Sequence, residues 1–280
     1  MPIPENQIFF TFDHDATLGT VVDTVAERLG GELWFRGETM EFPVPANSVF
    51  ARTPGLNTDP IEPCFDNGVY SFPLRILTVG ERDIVQDLQR NPPVGPYSPS
   101  LLRHHDHPGW FALARHHGKP TRLLDVTRDL FVALFFACNN HQNRDGFVFA
   151  YTNLWNPERN NPDRLAHYHD LYDAALGDEI PAYREHEAAH PGTLERHAQL
   201  LAERARTVRR DMAYLFECHD VINERMVAQR GAFIWRGDPT LSLFEGIGNV
   251  FVFRIRSGAK PNIVQRLNIL GINARTLRLQ

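Results

Sequence analysis

The stretch Ala-Arg-His-His-Gly-Lys-Pro-Thr-Arg-Leu-Leu-Asp-Val-Thr-Arg-Asp-Leu-Phe-Val-Ala-Leu-Phe-Phe-Ala-Cys-Asn-Asn, residues 114–140, constrains the fold more than any other. Thr121 to Val126 reads as a short buried strand, and Arg128 to Cys138 as a helix that Thr127 or Asp125 can cap. That helix is apolar almost all round, so both its faces must be covered and it must sit centrally. A polar cluster interrupts the apolar run just where the helix begins. A helix N-terminus carries free N–H groups and partial positive charge, so a ligand at that end is one reading and simple capping is the other. Capping alone does not require Thr121, Arg122, His116 and His117.

The flanking sequence supplies elements to pack against this helix. Leu18, Val21, Val22, Val25 and Leu29 recur at helical spacing, with Thr17 as N-cap and Gly30-Gly31 as a stop. A strand, Glu32 to Arg36, follows at once. Residues 42–100 are rich in Pro, Gly and Asn and predict loop, with short elements such as Ile76 to Leu88. Pro108 to His117 predicts a helix with Pro in its first turn and Gly118 past its end. Residues 145–153 predict a turn and an alternating strand. Arg225 to Trp235 and Asn249 to Arg256 predict further strands, and Ile263 to Leu270 a helix ending at Gly271. Strands scattered among helices, without a βα repeat, predict an α+β fold of mixed small sheets packed with helices.

Residues 156–219 differ in kind. Leu194, Ala198, Leu201, Ala205, Val208, Met212 and Leu215 alternate four and three apart, which predicts a helical hairpin inserted into a single domain spanning 1–280. Such a hairpin either covers the core or offers a coiled-coil partner site.

Three segments interrupt apolar sequence with polar residues. Arg36-Gly37, in Leu-Trp-Phe-Arg-Gly-Glu, puts a guanidinium at a strand end beside a residue without a Cβ, as a grip on phosphate would require. A surface ion pair with Glu38 or Glu32 is the plainer alternative. Thr121-Arg122-Leu-Leu-Asp125-Val-Thr127 is the second. The third is Arg225-Met-Val-Ala-Gln229-Arg-Gly231-Ala-Phe233, where a buried glutamine needs hydrogen-bond partners and Gly231 suggests a bulge or close approach. His104-His-Asp-His107 does not have the i,i+4 spacing of a zinc site and reads as solvated surface; no metal is expected.

Together these segments resemble the FRG domain, named for its Phe-Arg-Gly motif. The family pattern H-x-G-x-P-T-R-L-L-D-x-T followed by A-L-x-F-A falls on His116 to Gly118, Pro120 to Asp125, Thr127 and Ala133 to Ala137. The pattern R-x-x-x-Q-x-G-x-F falls on Arg225, Gln229, Gly231 and Phe233. Lys260 to Gly271 resembles the family's closing helix and turn. The likeness spans about residues 17–275, with the helical insert unmatched.

The order of the motifs also resembles that of the ADP-ribosyltransferase fold. The resemblance implies that NAD is the substrate. Arg36 would grip a phosphate, Thr127 and the adjoining backbone would hold the nicotinamide ribose, and Gly37, Thr121 and Arg122 are further NAD-binding candidates. Gln229 would reach a ribose hydroxyl, and Asp125 and His117 are further catalytic candidates. A transferase usually has Glu where Gln229 stands, and a glutamine can neither act as a base nor stabilise a cation by charge. The implied function is ADP-ribosyl transfer to a nucleic-acid base or a protein, in a toxin or defence effector, with an antitoxin docking on the helical insert. The alternative is a nucleotide- or nucleic-acid-binding module without turnover.

The net charge of −5 argues against a general basic nucleic-acid surface but not against a local groove. Met1-Pro-Ile-Pro-Glu-Asn lacks a basic region followed by an apolar one, and no run of about 18 apolar residues occurs, so neither a signal peptide nor a membrane span is expected. Cys64, Cys138 and Cys218 are scattered and odd in number, as in a reducing cytoplasm rather than a disulfide framework.

Overall fold

The computed structural model describes residues 3, 5–40, 64–66, 69–71, 79–91, 107–116, 119–121, 123–152, 154, 213–216, 224–236 and 249–279. The strands are β1 (Ile8–Phe12), β2 (Leu33–Glu38), β3 (Cys64–Asp66), β4 (Val69–Ser71), β5 (Leu124–Thr127), β6 (Gly146–Thr152), β7 (Ala213–Phe216), β8 (Gly231–Arg236) and β9 (Asn249–Ile255). The helices are α1 (Leu18–Arg28), α2 (Val79–Arg90), α3 (His107–His116), α4 (Leu130–Cys138), α5 (Glu224–Ala228) and α6 (Lys260–Ile269). The class is α+β. The expected small sheets are one seven-stranded sheet, ordered β1-β9-β6-β2-β5-β8-β7, and a two-stranded ribbon of β3 and β4. In the large sheet β1 runs parallel to β9 and the other neighbours pair antiparallel.

Two apolar layers cover the sheet. On one face Phe35, Val148, Ala150 and Phe253 pack with α1, α4 and α6; on the other lie Trp34, Leu124, Val126, Phe147, Phe149, Tyr151 and Val252. β6 is therefore buried along its whole length. The alternating strand expected over 145–153 is instead apolar from Phe147 to Tyr151 and covered on both sides, as central strands are. Each such fully buried large side chain contributes about 1.5–3 kcal/mol.

α4 is central, as its all-round apolarity requires: six of its residues are buried. Its N-cap is Asp129, whose Oδ1 accepts from Phe131 N at 2.9 Å, not Thr127 or Asp125. Thr127 stays in β5, and its hydroxyl accepts from Asp129 N at 3.0 Å. Thr17 does cap α1, accepting from Thr20 N at 3.2 Å, and Gly31 follows that helix at φ 84°. Pro261 sits in the first turn of α6, and Gly271, at φ 80°, follows its end.

The hairpin expected over 156–219 lies outside the described residues except at Ala213–Phe216. There the chain is a strand pairing with β8 from Ala213↔Arg236 to Phe216↔Phe233, not a last helical turn. Tyr and Phe favour the pleated surface, and β8 offers an open ladder. The loops expected over 42–63 and the residues His104 to Asp106 also lie outside the described residues.

Candidate functional site

β2 and β5 pair at one position only, Phe35↔Thr127. β2 otherwise pairs along its whole length with β6, and β5 along its whole length with β8. Beyond Phe35 the sheet is open between its two halves. A cavity of about 390 Å³ lies at this opening. β2 contributes Phe35, Arg36 and Gly37, and β5 contributes Asp125, Val126 and Thr127. α3 brings Ala112 and Arg115, α4 brings Val132 and Phe136, and Arg225, Met226, Gln229 and Phe233 close the far side. The lining mixes apolar and aromatic side chains with three arginines and one carboxylate among the described residues.

Arg36 reaches across the opening. Its Nη1 donates to the carbonyl of Asp125 at 2.9 Å, taking the place of a ladder bond, and its Nε donates to Glu38 Oε1 at 3.0 Å. Glu38 is 2 % exposed and Arg36 14 %, so the pair is buried, not on the surface. Glu32 pairs instead with Arg128, at 2.9 Å. Burial alone would lower the Arg36 pKa; the carboxylates of Glu38 and Asp125 outweigh it and raise it above its ordinary value. Arg36 Nη2 makes no hydrogen bond among the described residues.

Asp125 is shared between cations. Arg115 donates to its Oδ2 from Nε at 3.1 Å and from Nη2 at 2.5 Å, and Arg36 Nη1 stands 3.8 Å away. Burial, the largest single influence, raises its pKa, but Arg115 and Arg36, with Arg225 behind them, together hold it below the usual carboxylate range. The side chain is 46 % exposed, so this electrostatic stabilisation is screened and modest. Because the folded pKa is lowered, the contribution is fully present above the unfolded value of about 3.9 and is lost as pH falls through the folded value. The expected result is a stability gap between wild type and Asp125→Asn that is constant above about pH 5 and narrows below about pH 4, read by urea unfolding.

Gln229 is not in a strand. Glu224–Ala228 forms a helical turn, with Gln229 N bonded to Arg225 O at 2.9 Å, and Arg230 reverses the chain at φ 46° before β8 begins. Arg, Met and Ala are good helix formers, which the apolar alternation of the sequence conceals. Gln229 Nε2 donates to Leu277 O at 3.0 Å, and its carbonyl accepts the Thr127 hydroxyl at 2.6 Å. Gln229 and Thr127 thus line the cavity while tying β5 to the C-terminal segment.

Gly37 lines the cavity as well, but its missing Cβ serves another purpose. A Cβ there would run into the Ala133 carbonyl oxygen and lie 2.8 Å from Ala137 N. Helix backbone, not ligand, makes the close approach. Gly231 needs no such explanation: a Cβ would meet its nearest neighbour, Met226 O, at an ordinary 3.6 Å.

The structure therefore brings Arg36, Gly37, Asp125, Thr127 and Gln229 to one cavity. Thr121 is fully buried and does not line it, and its Oγ1 makes no hydrogen bond among the described residues. His117 and Arg122 lie outside the described residues. The sequence reading passed over Arg115 and did not single out Arg225 as a site residue. The signal for Arg225 was its place four residues before Gln229, one helical turn away. Among the described residues no group of three or more metal-ligating side chains occurs, and no helix is long and apolar enough to cross a membrane.

The segment that carries α3, β5 and α4, and with them Arg115 and Asp125, has a counterpart among known families. Residues 77–146 match the FRG domain. Arg36, Arg225 and Gln229 lie outside that FRG segment, contributed by strands and turns that flank it in the sheet. No curated protein and no solved structure matches the chain.

Proposed function

We propose that the cavity binds a nucleotide through its phosphates, and that the nucleotide is NAD, held for ADP-ribosyl transfer. The observation that carries this reading is the convergence of Arg36, Arg115 and Arg225 on one cavity that Phe35, Phe136 and Phe233 also line. Arginine matches phosphate oxygens in geometry and charge, and aromatic side chains suit a planar ring. Arg115 is largely neutralised by Asp125, so Arg36 Nη2 and Arg225 are the donors for the diphosphate. The volume suits part of a dinucleotide, the rest lying in the open mouth.

In this reading the ribose–nicotinamide bond breaks with its electron pair leaving on nicotinamide. Positive charge grows on the ribose, and the acceptor supplies the electron pair of the new bond. Asp125 supports the mechanism as the carboxylate in the described lining: its lowered pKa keeps it charged, and its Oδ1 makes no hydrogen bond among the described residues. It offers the charge that Gln229 cannot. Asp125 is committed to the charge on the ribose, and His117 keeps the role of base for the acceptor's proton in the proposal. A toxin or defence role, with an antitoxin on 156–219, belongs to the same proposal.

Incubating the protein with NAD and measuring free nicotinamide tests it. Arg36→Ala is expected to reduce release by at least about a hundredfold, as loss of a positioning and charge contact does. A second reading, a binding module without turnover, is favoured by the Thr127 hydroxyl and the Gln229 amide, both occupied within the protein. NAD binding by calorimetry with no nicotinamide release supports it over the transferase.

A further inference from the structure

Behind the cavity wall, Arg36 and Glu38 share one face of β2, while Gly37 between them faces α4. Glu38 is 2 % exposed and is not part of the cavity lining, yet its Oε1 accepts from Arg36 Nε. The Asp125 carbonyl takes Arg36 Nη1. A guanidinium is planar and rigid, so anchors on two of its nitrogens fix both its plane and its rotation. The third nitrogen, Nη2, is the one left to a ligand.

The plainer account is an ion pair that only stabilises the sheet. Two features weigh against it. A carboxylate this buried carries a desolvation penalty that ion pairing often fails to overcompensate, so it is a poor device for stability alone. On its β5 side Arg36 has no ladder pairing, and a side chain of this length without anchors would lose rotamer freedom on binding an anion.

We propose that Glu38 is a positioning residue that holds the Arg36 guanidinium with Nη2 turned into the cavity. Its effect on ligand binding rests on the phosphate reading above; its hold on Arg36 does not, and the two are tested apart. Glu38→Gln keeps an acceptor without the charge, and Glu38→Met has neither. With isotope-labelled arginine, the Arg36 Nε–H resonance, assigned by its loss in Arg36→Lys, is expected to exchange slowly in wild type. It should exchange faster in Glu38→Gln and as fast as free arginine in Glu38→Met. ADP affinity, by calorimetry, is expected to fall by about tenfold in Glu38→Gln and further in Glu38→Met, the scale of a weakened charge-assisted hydrogen bond.

Unchanged Nε–H exchange in a folded Glu38 variant overturns the hold on Arg36. Equal ADP affinity in wild type and folded variants overturns the positioning role while the phosphate reading stands. Wild type that binds neither ADP nor NAD overturns the phosphate reading, and the exchange rates still decide whether Glu38 holds Arg36. If Glu38→Met fails to fold, Glu38→Gln decides each point.

Discussion

Gly37→Ala is expected to cost about 3 kcal/mol or more, beyond the usual range for an added methyl group in a packed core. The added Cβ would overlap the Ala133 carbonyl and press on Ala137 N, and both are backbone, which cannot rotate aside. Either α4 must lift off β2 or the strand must bend. Ala133 and Ala137 are fully buried, and Gly146 on β6 meets the Ala137 carbonyl in the same way. Small residues on helix and strand together let α4 lie directly on the sheet. Urea unfolding should show the midpoint of Gly37→Ala far below that of Gly30→Ala, where a Cβ meets nothing within 4 Å. Equal midpoints would show that α4 does not pack as closely as described.

Lys260→Ala is expected to cost about 4 kcal/mol, the sum of a cavity and an orphaned acceptor. The side chain is fully buried, and its Nζ donates to Thr39 O at 2.6 Å and to Asn140 O and His141 O at 3.2 Å each. It ties the end of β2 to the end of α4 from the first turn of α6. Burial nevertheless lowers its pKa, so the charge itself is not what stabilises the fold. The stem and the donors do. Lys260→Met restores the stem and is expected to recover most of the loss, leaving about 1–2 kcal/mol for the Thr39 carbonyl. Denaturation of the two variants separates the shares; a Met variant as unstable as the Ala variant would assign the effect to the ammonium group and its hydrogen bonds rather than to the stem.

Elements defined by local chemistry were legible in the sequence. Thr17 and Gly31 bracket α1, Pro261 and Gly271 bracket α6, and the apolar run 130–138 reads as a buried helix because nothing else can be done with it. Arg36, Asp125 and Gln229 stand out as polar residues in apolar surroundings, and they do line one cavity. What was illegible depends on neighbours distant in sequence. Gly37 looks like an invitation to a ligand until α4 is placed over it. The alternation expected of 145–153 is met neither in chemistry, since Phe147 to Tyr151 are all apolar, nor in the burial of β6, whose faces are both covered. Thr127 and Asp125 read as caps on paper, and only the placing of both in β5 leaves the cap to Asp129. Arg115 ends a helix, a common place for a surface cation; it becomes part of the site only because β5 brings Asp125 beneath it.

The parallel pairing of β1 with β9 also governs when the sheet can be completed. Among the described residues β1 has no other strand partner, and Phe10 waits for Phe253. During synthesis the first strand emerges long before the strand that receives it, with Phe9 and Phe10 on an unpaired edge. Closing so long a loop is slow in relation to local helix formation. Folding of this chain should therefore end, not begin, at its first strand, and nascent chains stopped short of β9 should hold β1 open to protease and chaperone.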